Sequence, residues 1–203
     1  SALPFFNTDS AVTITRNTIT NIRTSGAAAY GINTNLRWDA KKSIAIFNNM
    51  ISGIASVGAV PTGANFVNNP YAILLNGTQV VPSVANEIDV NIWNNSINLG
   101  QATTLGAAGI SACIGVSATT FGDITLTNNI LQNKLSRATA GGNIYAVAIA
   151  GSSNPFKLTD YNNYYVAGTI GNAIKLVGST LLQVPVNGTG THFVKAFRTD
   201  TYY

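Results

Sequence analysis

The chain has 203 residues, of which 46% are hydrophobic and only 9% charged, with 11 Lys and Arg against 7 Asp and Glu for a formal charge of +4. That length suits one sizeable all-β domain, no apolar run approaches the roughly 18 residues of a membrane helix, and the small cationic excess forms no basic stripe of the kind nucleic acid requires. Membrane insertion and nucleic-acid binding are therefore not expected, and the one cysteine, Cys113, reads as a small packed hydrophobe without an internal disulfide partner.

Residues 1–10 form a lead-in that Pro4 and the Asp9-Ser10 pair keep from being a regular central strand. It opens Ser1-Ala2-Leu3-Pro4, without Met or a sorting signal, as a processed or excised module would. From residue 11 a short pattern repeats, clearest in Ile88-Asp89-Val90-Asn91-Ile92-Trp93-Asn94-Asn95-Ser96-Ile97-Asn98-Leu99. Two apolar residues alternate with polar or aromatic ones, a pair of asparagines follows, and the apolar series resumes beyond it. The spacing predicts a strand, a bend and a second short strand. Copies carry Val12 and Ile14 before Asn17, Ile44 and Ile46 before Asn49, Ile124 and Leu126 before Asn129, and, more weakly, Leu158 before Asn163. Two residues after each anchor stand Ile19, Ile51, Ile97, Leu131 and Tyr165.

A second motif interleaves with the first: Tyr30-Gly31-Ile32, Tyr71-Ala72-Ile73, Ala108-Gly109-Ile110, Tyr145-Ala146-Val147 and Asn172-Ala173-Ile174. The anchors Asn17, Asn49, Asn95, Asn129 and Asn163 are 32, 46, 34 and 34 residues apart. Polar insertions bearing Gly and Pro at residues 56–70 and 76–86 account for the long interval, and such loops serve either as binding elements or as tolerated insertions. After residue 177 the pattern stops, and Val184-Pro185-Val186 and His192-Phe193-Val194 predict short strands of a cap or of a following β segment.

A unit whose strands have one apolar face cannot bury that face alone. Stacking successive units in parallel register makes the inner columns continuous, Val12, Ile44, Val90, Ile124 and Leu158 in one and Ile32, Ile73, Ile110, Val147 and Ile174 in another. Rungs ~4.8 Å apart and right-handed parallel connections follow from general sheet geometry. The expected fold is an all-β, right-handed parallel β-helix of about five coils over residues 1–177, with residues 178–203 as a C-terminal cap or the start of a further β segment. Asparagine tolerates the left-handed conformation a tight bend needs, and stacked amides can hydrogen-bond along the stack. Asn17, Asn49, Asn95, Asn129 and Asn163 are accordingly expected to form an asparagine ladder.

The runs Ile124-Thr125-Leu126-Thr127-Asn128-Asn129-Ile130-Leu131-Gln132-Asn133, Gly141-Gly142-Asn143-Ile144-Tyr145-Ala146-Val147 and Asp160-Tyr161-Asn162-Asn163-Tyr164-Tyr165 resemble the right-handed β-helix repeats of large secreted bacterial cell-surface proteins, often of the type IX-exported kind. The resemblance covers about residues 11–177. It implies an extracellular or outer-surface location and, in most members, no assigned activity; no type IX sorting domain is visible in the sequence.

Parallel β-helices also carry polysaccharide lyases and glycoside hydrolases, so the acids were weighed as catalysts. Asp89 and Asp123 lie six residues before Asn95 and Asn129, and Lys157 holds that place in the next copy. Asp89, Asp123 and Lys157 are the best catalytic or calcium constellation in the chain, against an ordinary reading as an exposed charge ladder. His192, the only histidine, lies outside the repeats without a nucleophile motif beside it. Phe47, Trp93 and Tyr161, two residues before their anchors on the outward face, could stack against sugar rings or be covered by an insertion loop. Ser10, within Asp9-Ser10-Ala11, matches the short acceptor pattern of some bacterial O-glycosylation systems. No cofactor motif and no metal cluster is recognisable. The leading expectation is a non-catalytic structural or adhesive module whose partners are other domains of the same polypeptide or repeating subunits, with a surface glycan as a further candidate. A carbohydrate-active or glycan-binding β-helix is the alternative, and phage-type receptor binding trails both.

Overall fold

The computed structural model describes residues 5–6, 11–25, 28–38, 41–56, 66–67, 69–79, 87–100, 104–105, 110–117, 121–137, 143–150, 155–166, 170–176, 183–187 and 193–195. Their regular structure is entirely β, with no helix among them. Period-two alternation of β-branched and polar side chains leaves no apolar stripe for a helix, so the chain answers with many short strands.

Three parallel sheets organise the molecule. Sheet I contains Val12–Thr15, Lys42–Phe47, Ile88–Trp93, Phe121–Thr127 and Phe156–Asp160, in that spatial order. Sheet II contains Thr18–Thr20, Met50–Ser52, Ser96–Leu99, Ile130–Asn133 and Asn162–Val166, and sheet III contains Ala29–Asn33, Pro70–Leu75, Ile110–Val116, Asn143–Ile149 and Ile170–Leu176. Sequence neighbours such as Lys42–Phe47 and Met50–Ser52 fall in different sheets, while equivalent strands of successive copies pair side by side. The connections are therefore crossovers, and every copy contributes one strand to each sheet.

Register converts the repeat into columns. Val12, Ile44, Val90 and Ile124 are partners in succession, as are Ile14, Ile46, Ile92 and Leu126. In sheet II the equivalent column is Ile19, Ile51, Ile97 and Leu131. Those from Ile44 onward are buried and join one continuous core with Ile32, Ile73, Ile114 and Val147 of sheet III, while Val12, Ile14 and Ile19 at the first edge pack against it half-covered.

Two expectations about these columns fail, for reasons of burial. Leu158 does not extend the Ile124 column: Ile124 pairs with Phe156, a bulge follows, and Leu158 lies opposite Thr125 while Thr159 lies opposite Leu126. The slip is set one strand later, where Tyr164 and Val166 point inward and Asn163 and Tyr165 outward. A shift of one residue exchanges all inner and outer side chains, and burying Tyr164 with Val166 outweighs burying Leu158. Leu131 accordingly pairs with Tyr164, not Tyr165. In sheet III the third member is Ile114 rather than Ile110. Ile110 pairs with Asn143 and is only half-buried, whereas Ile114 and Val116 are fully enclosed.

The two ends of the stack differ. Gln183–Asn187 runs antiparallel along Ile170–Leu176, and Phe193–Lys195 runs antiparallel along Asn162–Val166. These are the outermost strands of sheets III and II at that end, with Pro185 opposite Asn172, while sheet I ends there on Phe156–Asp160. At the other end Val12–Thr15, Thr18–Thr20 and Ala29–Asn33 are terminal in their sheets. Phe5–Phe6 of the lead-in pairs instead with Leu36–Trp38, which in turn pairs with Gly77–Gln79.

The slip in the fifth copy places Thr159 at 1% exposure in a column otherwise filled by Ile and Leu, and its hydroxyl has no hydrogen-bond partner. Thr159→Val should therefore raise stability by about 1 kcal/mol, because it removes an unsatisfied polar atom at nearly constant volume. Urea unfolding checks this, with the outward-facing Thr125→Val as a comparison expected to stay within about 0.5 kcal/mol of the parent.

Candidate functional site

The bend between sheets I and II is built by two adjacent residues with separate tasks. The first takes the left-handed backbone: Arg16, Asn48, Asn94, Asn128 and Tyr161 have φ of 57°, 56°, 55°, 55° and 55°. The second turns its side chain into the stack. Asn17, Asn49, Asn95 and Asn129 each donate both the backbone N–H and Nδ2 to Oδ1 of the next asparagine, over 2.9–3.1 Å. The Nδ2 groups also reach carbonyl oxygens: that of Asn95 donates to Ile46 O at 2.9 Å and to Trp93 O at 3.1 Å, and that of Asn129 to Ile92 O and Thr127 O in the same way. A carboxamide offers two donors on one atom and an acceptor on another, so each member of the column can reach the next asparagine and the bend's carbonyls together.

The last member of this ladder is Asn162, not Asn163. Asn129 donates to Asn162 Oδ1, and Asn162 Nδ2 reaches Leu126 O at 2.8 Å. Asn163, at the outer face, donates only its backbone N–H to Asn129 O. In the fifth copy Tyr161 occupies the left-handed position, so the first asparagine of the pair, rather than the second, enters the ladder.

The outward aromatic column is reshaped by the same slip. Thr15, Phe47, Trp93 and Thr127 are in register, and the next partner is Asp160 instead of Tyr161. Phe47 and Trp93 stack with ring centroids 4.2 Å apart and planes 8° from parallel. Both remain half-exposed. Tyr161 stands 63% exposed on the bend itself, outside their stack.

Of the catalytic candidates, Asp89 and Asp123 flank the same column, and each already has a lysine. Lys41 Nζ lies 3.1 Å from Asp89 Oδ2, and Lys157 Nζ lies 2.6 Å from Asp123 Oδ2. The hydrogen bond that Lys157 donates to Asp123, then the charge of that carboxylate, holds the Lys157 ammonium above its usual range. Solvent screens both pairs, so they keep the face neutral more than they stabilise it. Among the described residues no three His, Cys, Asp or Glu side chains gather as a metal site. Ser10 and His192 lie outside the described residues.

Two features escaped the sequence. Thr34, Asn76 and Ser117 make a second polar ladder beyond sheet III: Thr34 Oγ1 accepts from Asn76 N–H at 2.9 Å, Asn76 Nδ2 donates to Asn35 Oδ1 at 3.2 Å, and Ser117 Oγ donates to Asn76 Oδ1 at 2.8 Å. Its members lie 42 and 41 residues apart, a near-regular spacing that differs from the interval of the asparagine anchors. The outer face of sheet III is apolar rather than polar: Phe66, Tyr71, Leu74, Ala112, Tyr145 and Ala148 form a separate buried cluster. Part of the first insertion packs there, with Phe66 stacked on Tyr71 at 5.2 Å and accepting its hydroxyl proton at 2.8 Å, and with Val67 O accepting from Tyr30. Burial pushes the pKa of the Tyr30 and Tyr71 hydroxyls above its usual range. The Tyr71 ring also lies over Gly115, where a Cβ would come within 2.8 Å of two ring carbons. Cys113, as the sequence indicates, is a packed hydrophobe, enclosed in the main core beside Ala72 and Ala146, and burial pushes its thiol pKa well up, as befits an unreactive thiol.

The ladder makes a graded expectation. Asn95→Ala removes the acceptor of the buried Asn49 N–H and Nδ2 and the amide donor to Ile46 O, Trp93 O and Asn129 Oδ1, and should cost on the order of 3–4 kcal/mol. Asn17→Ala, at the exposed end, should cost under about 1 kcal/mol. Tyr161→Asn, which relieves a left-handed aromatic residue, should gain about 0.5–1 kcal/mol. Chemical denaturation of the three variants orders them, and equal losses at Asn17 and Asn95 would contradict the ladder as the source. No family model matches the chain, and no curated protein or solved structure matches it either.

Proposed function

We propose that the chain is a right-handed parallel β-helix acting as a non-catalytic structural or adhesive module of a secreted or cell-surface protein, built into a larger assembly. The observation that carries this reading is the open strand edge at both ends of the stack. Among the described residues each terminal strand has a single neighbour: Val12–Thr15, Thr18–Thr20 and Ala29–Asn33 at one end, Phe156–Asp160, Phe193–Lys195 and Gln183–Asn187 at the other. Open edges with unpaired N–H and C=O groups invite further β pairing. Further β structure of the same polypeptide or a repeating subunit fits these edges.

Two observations favour a passive role over the enzymatic alternative. Each aspartate of the Asp89 and Asp123 pair is bound to its own lysine. The one thiol is sealed in the core. A location on the outer bacterial surface rests on the resemblance of the repeat and on the rigidity a spacer needs.

Sedimentation velocity on the 203-residue chain, with a polysaccharide panel in calcium-containing buffer alongside, tests the proposal. Self-association that rises with concentration and is suppressed by Thr13→Lys with Thr18→Lys, two exposed positions on the open edges, is the expected result, with no polysaccharide cleaved. A strictly monomeric chain at high concentration removes the assembly reading. Turnover that disappears in Asp89→Ala or Asp123→Ala replaces the module with an enzyme.

A further inference from the structure

The stacked pair Phe47 and Trp93 covers only one face of the Trp93 indole. The in-register neighbour on the other side is Thr127, and the one beyond it is Asp160. Neighbouring strands lie ~4.8 Å apart, so Trp93 and Asp160 bracket a gap of roughly 10 Å floored by a short side chain. A ring held at a contact distance of ~3.5–4 Å from the indole fills that gap and meets the carboxylate. Asp160 Oδ1 accepts the Tyr161 N–H at 3.0 Å, which fixes the carboxylate and leaves Oδ2 for a second donor. Asn94 and Asn128, exposed and held in the left-handed conformation, present carboxamides along the rim.

We infer that Trp93, Thr127, Asp160 and Asn128 form a binding slot for one ring of a neutral saccharide. The chemistry selects this ligand on three counts. A pyranose offers an apolar C–H face to the indole and hydroxyl groups at its edge, which is what an aromatic wall beside carboxamide and carboxylate groups recognises. Asp160 is the charged group that the register places in the slot, and its carboxylate disfavours uronic acids and phosphates. The rim otherwise carries amides and hydroxyls, hydrogen-bonding groups suited to a polyol. The slot does not depend on the assembly reading, since a module that binds no saccharide can still serve as a spacer.

Saturation-transfer NMR on the full chain, with cellotetraose, chitotetraose, tetragalacturonate and tetralysine as probes, tests the slot. Cellotetraose or chitotetraose should bind, with affinity falling at least tenfold in Asp160→Ala and in Thr127→Phe. The second substitution keeps Trp93 and extends its stack while filling the slot, so a loss of binding in a variant with parent-like circular dichroism is not a loss of fold. Acrylamide quenching gives a second readout, because Trp38 is fully buried and Trp93 is the half-exposed tryptophan; the bound saccharide should shield it. Absence of binding by both neutral probes, binding undiminished by Thr127→Phe, or preferential binding of tetragalacturonate or tetralysine overturns the inference.

Discussion

The bend between sheets I and II is the constraint on which the rest of the molecule depends. At that point the chain must reverse its side-chain direction within two residues and still satisfy buried backbone groups. Asparagine solves both halves of the problem, but in two different positions. Asn48, Asn94 and Asn128 supply the left-handed backbone, and Asn49, Asn95 and Asn129 supply the carboxamide column. Because each Oδ1 accepts from the copy before it, the ladder also aligns neighbouring copies, and both sheets inherit their register from it.

Departures from the motif are informative for the same reason. Where Tyr161 takes the left-handed place, the ladder advances to Asn162 and the strands on either side move with it. The bulge between Phe156 and Leu158 absorbs the slip, and Lys157 lies at that bulge, free to reach Asp123. The penalty is a buried Thr159 hydroxyl; the compensation is the enclosure of Tyr164 and Val166. Packing on the second strand thus decides the alignment of the first.

The outer faces of the three sheets have diverged while the inner faces stay uniform. Sheet I presents paired charges and one aromatic stack, sheet II leaves Met50 and Ile130 exposed at 61% and 52%, and sheet III is covered by an apolar cluster that includes Phe66 of the first insertion. Phe66 and Val67 of that insertion pack on Tyr71 and Tyr30. A scaffold whose inner columns are held constant can vary its surface at little cost to the fold, which is how one architecture accommodates different partners.

The sequence alone determined the all-β class, the parallel pairing of copies, the first four members of each sheet I and II column, and the ladder from Asn17 to Asn129. These depend on period-two alternation and on a bend whose residue types are nearly invariant, so spacing is enough to read them. Tertiary structure decided the alignment of the fifth copy and of Ile114, because there the motif offers two registers and only the enclosure of Tyr164, Val166, Ile114 and Val116 separates them. It also decided which face the insertion covers and that each of the two aspartates has its own lysine, since such contacts join residues whose separation carries no period. Asp160 became a neighbour of Thr127 and Trp93 through that same one-residue slip, and no pattern in the chain predicts a slip whose cause lies in the strand that follows it.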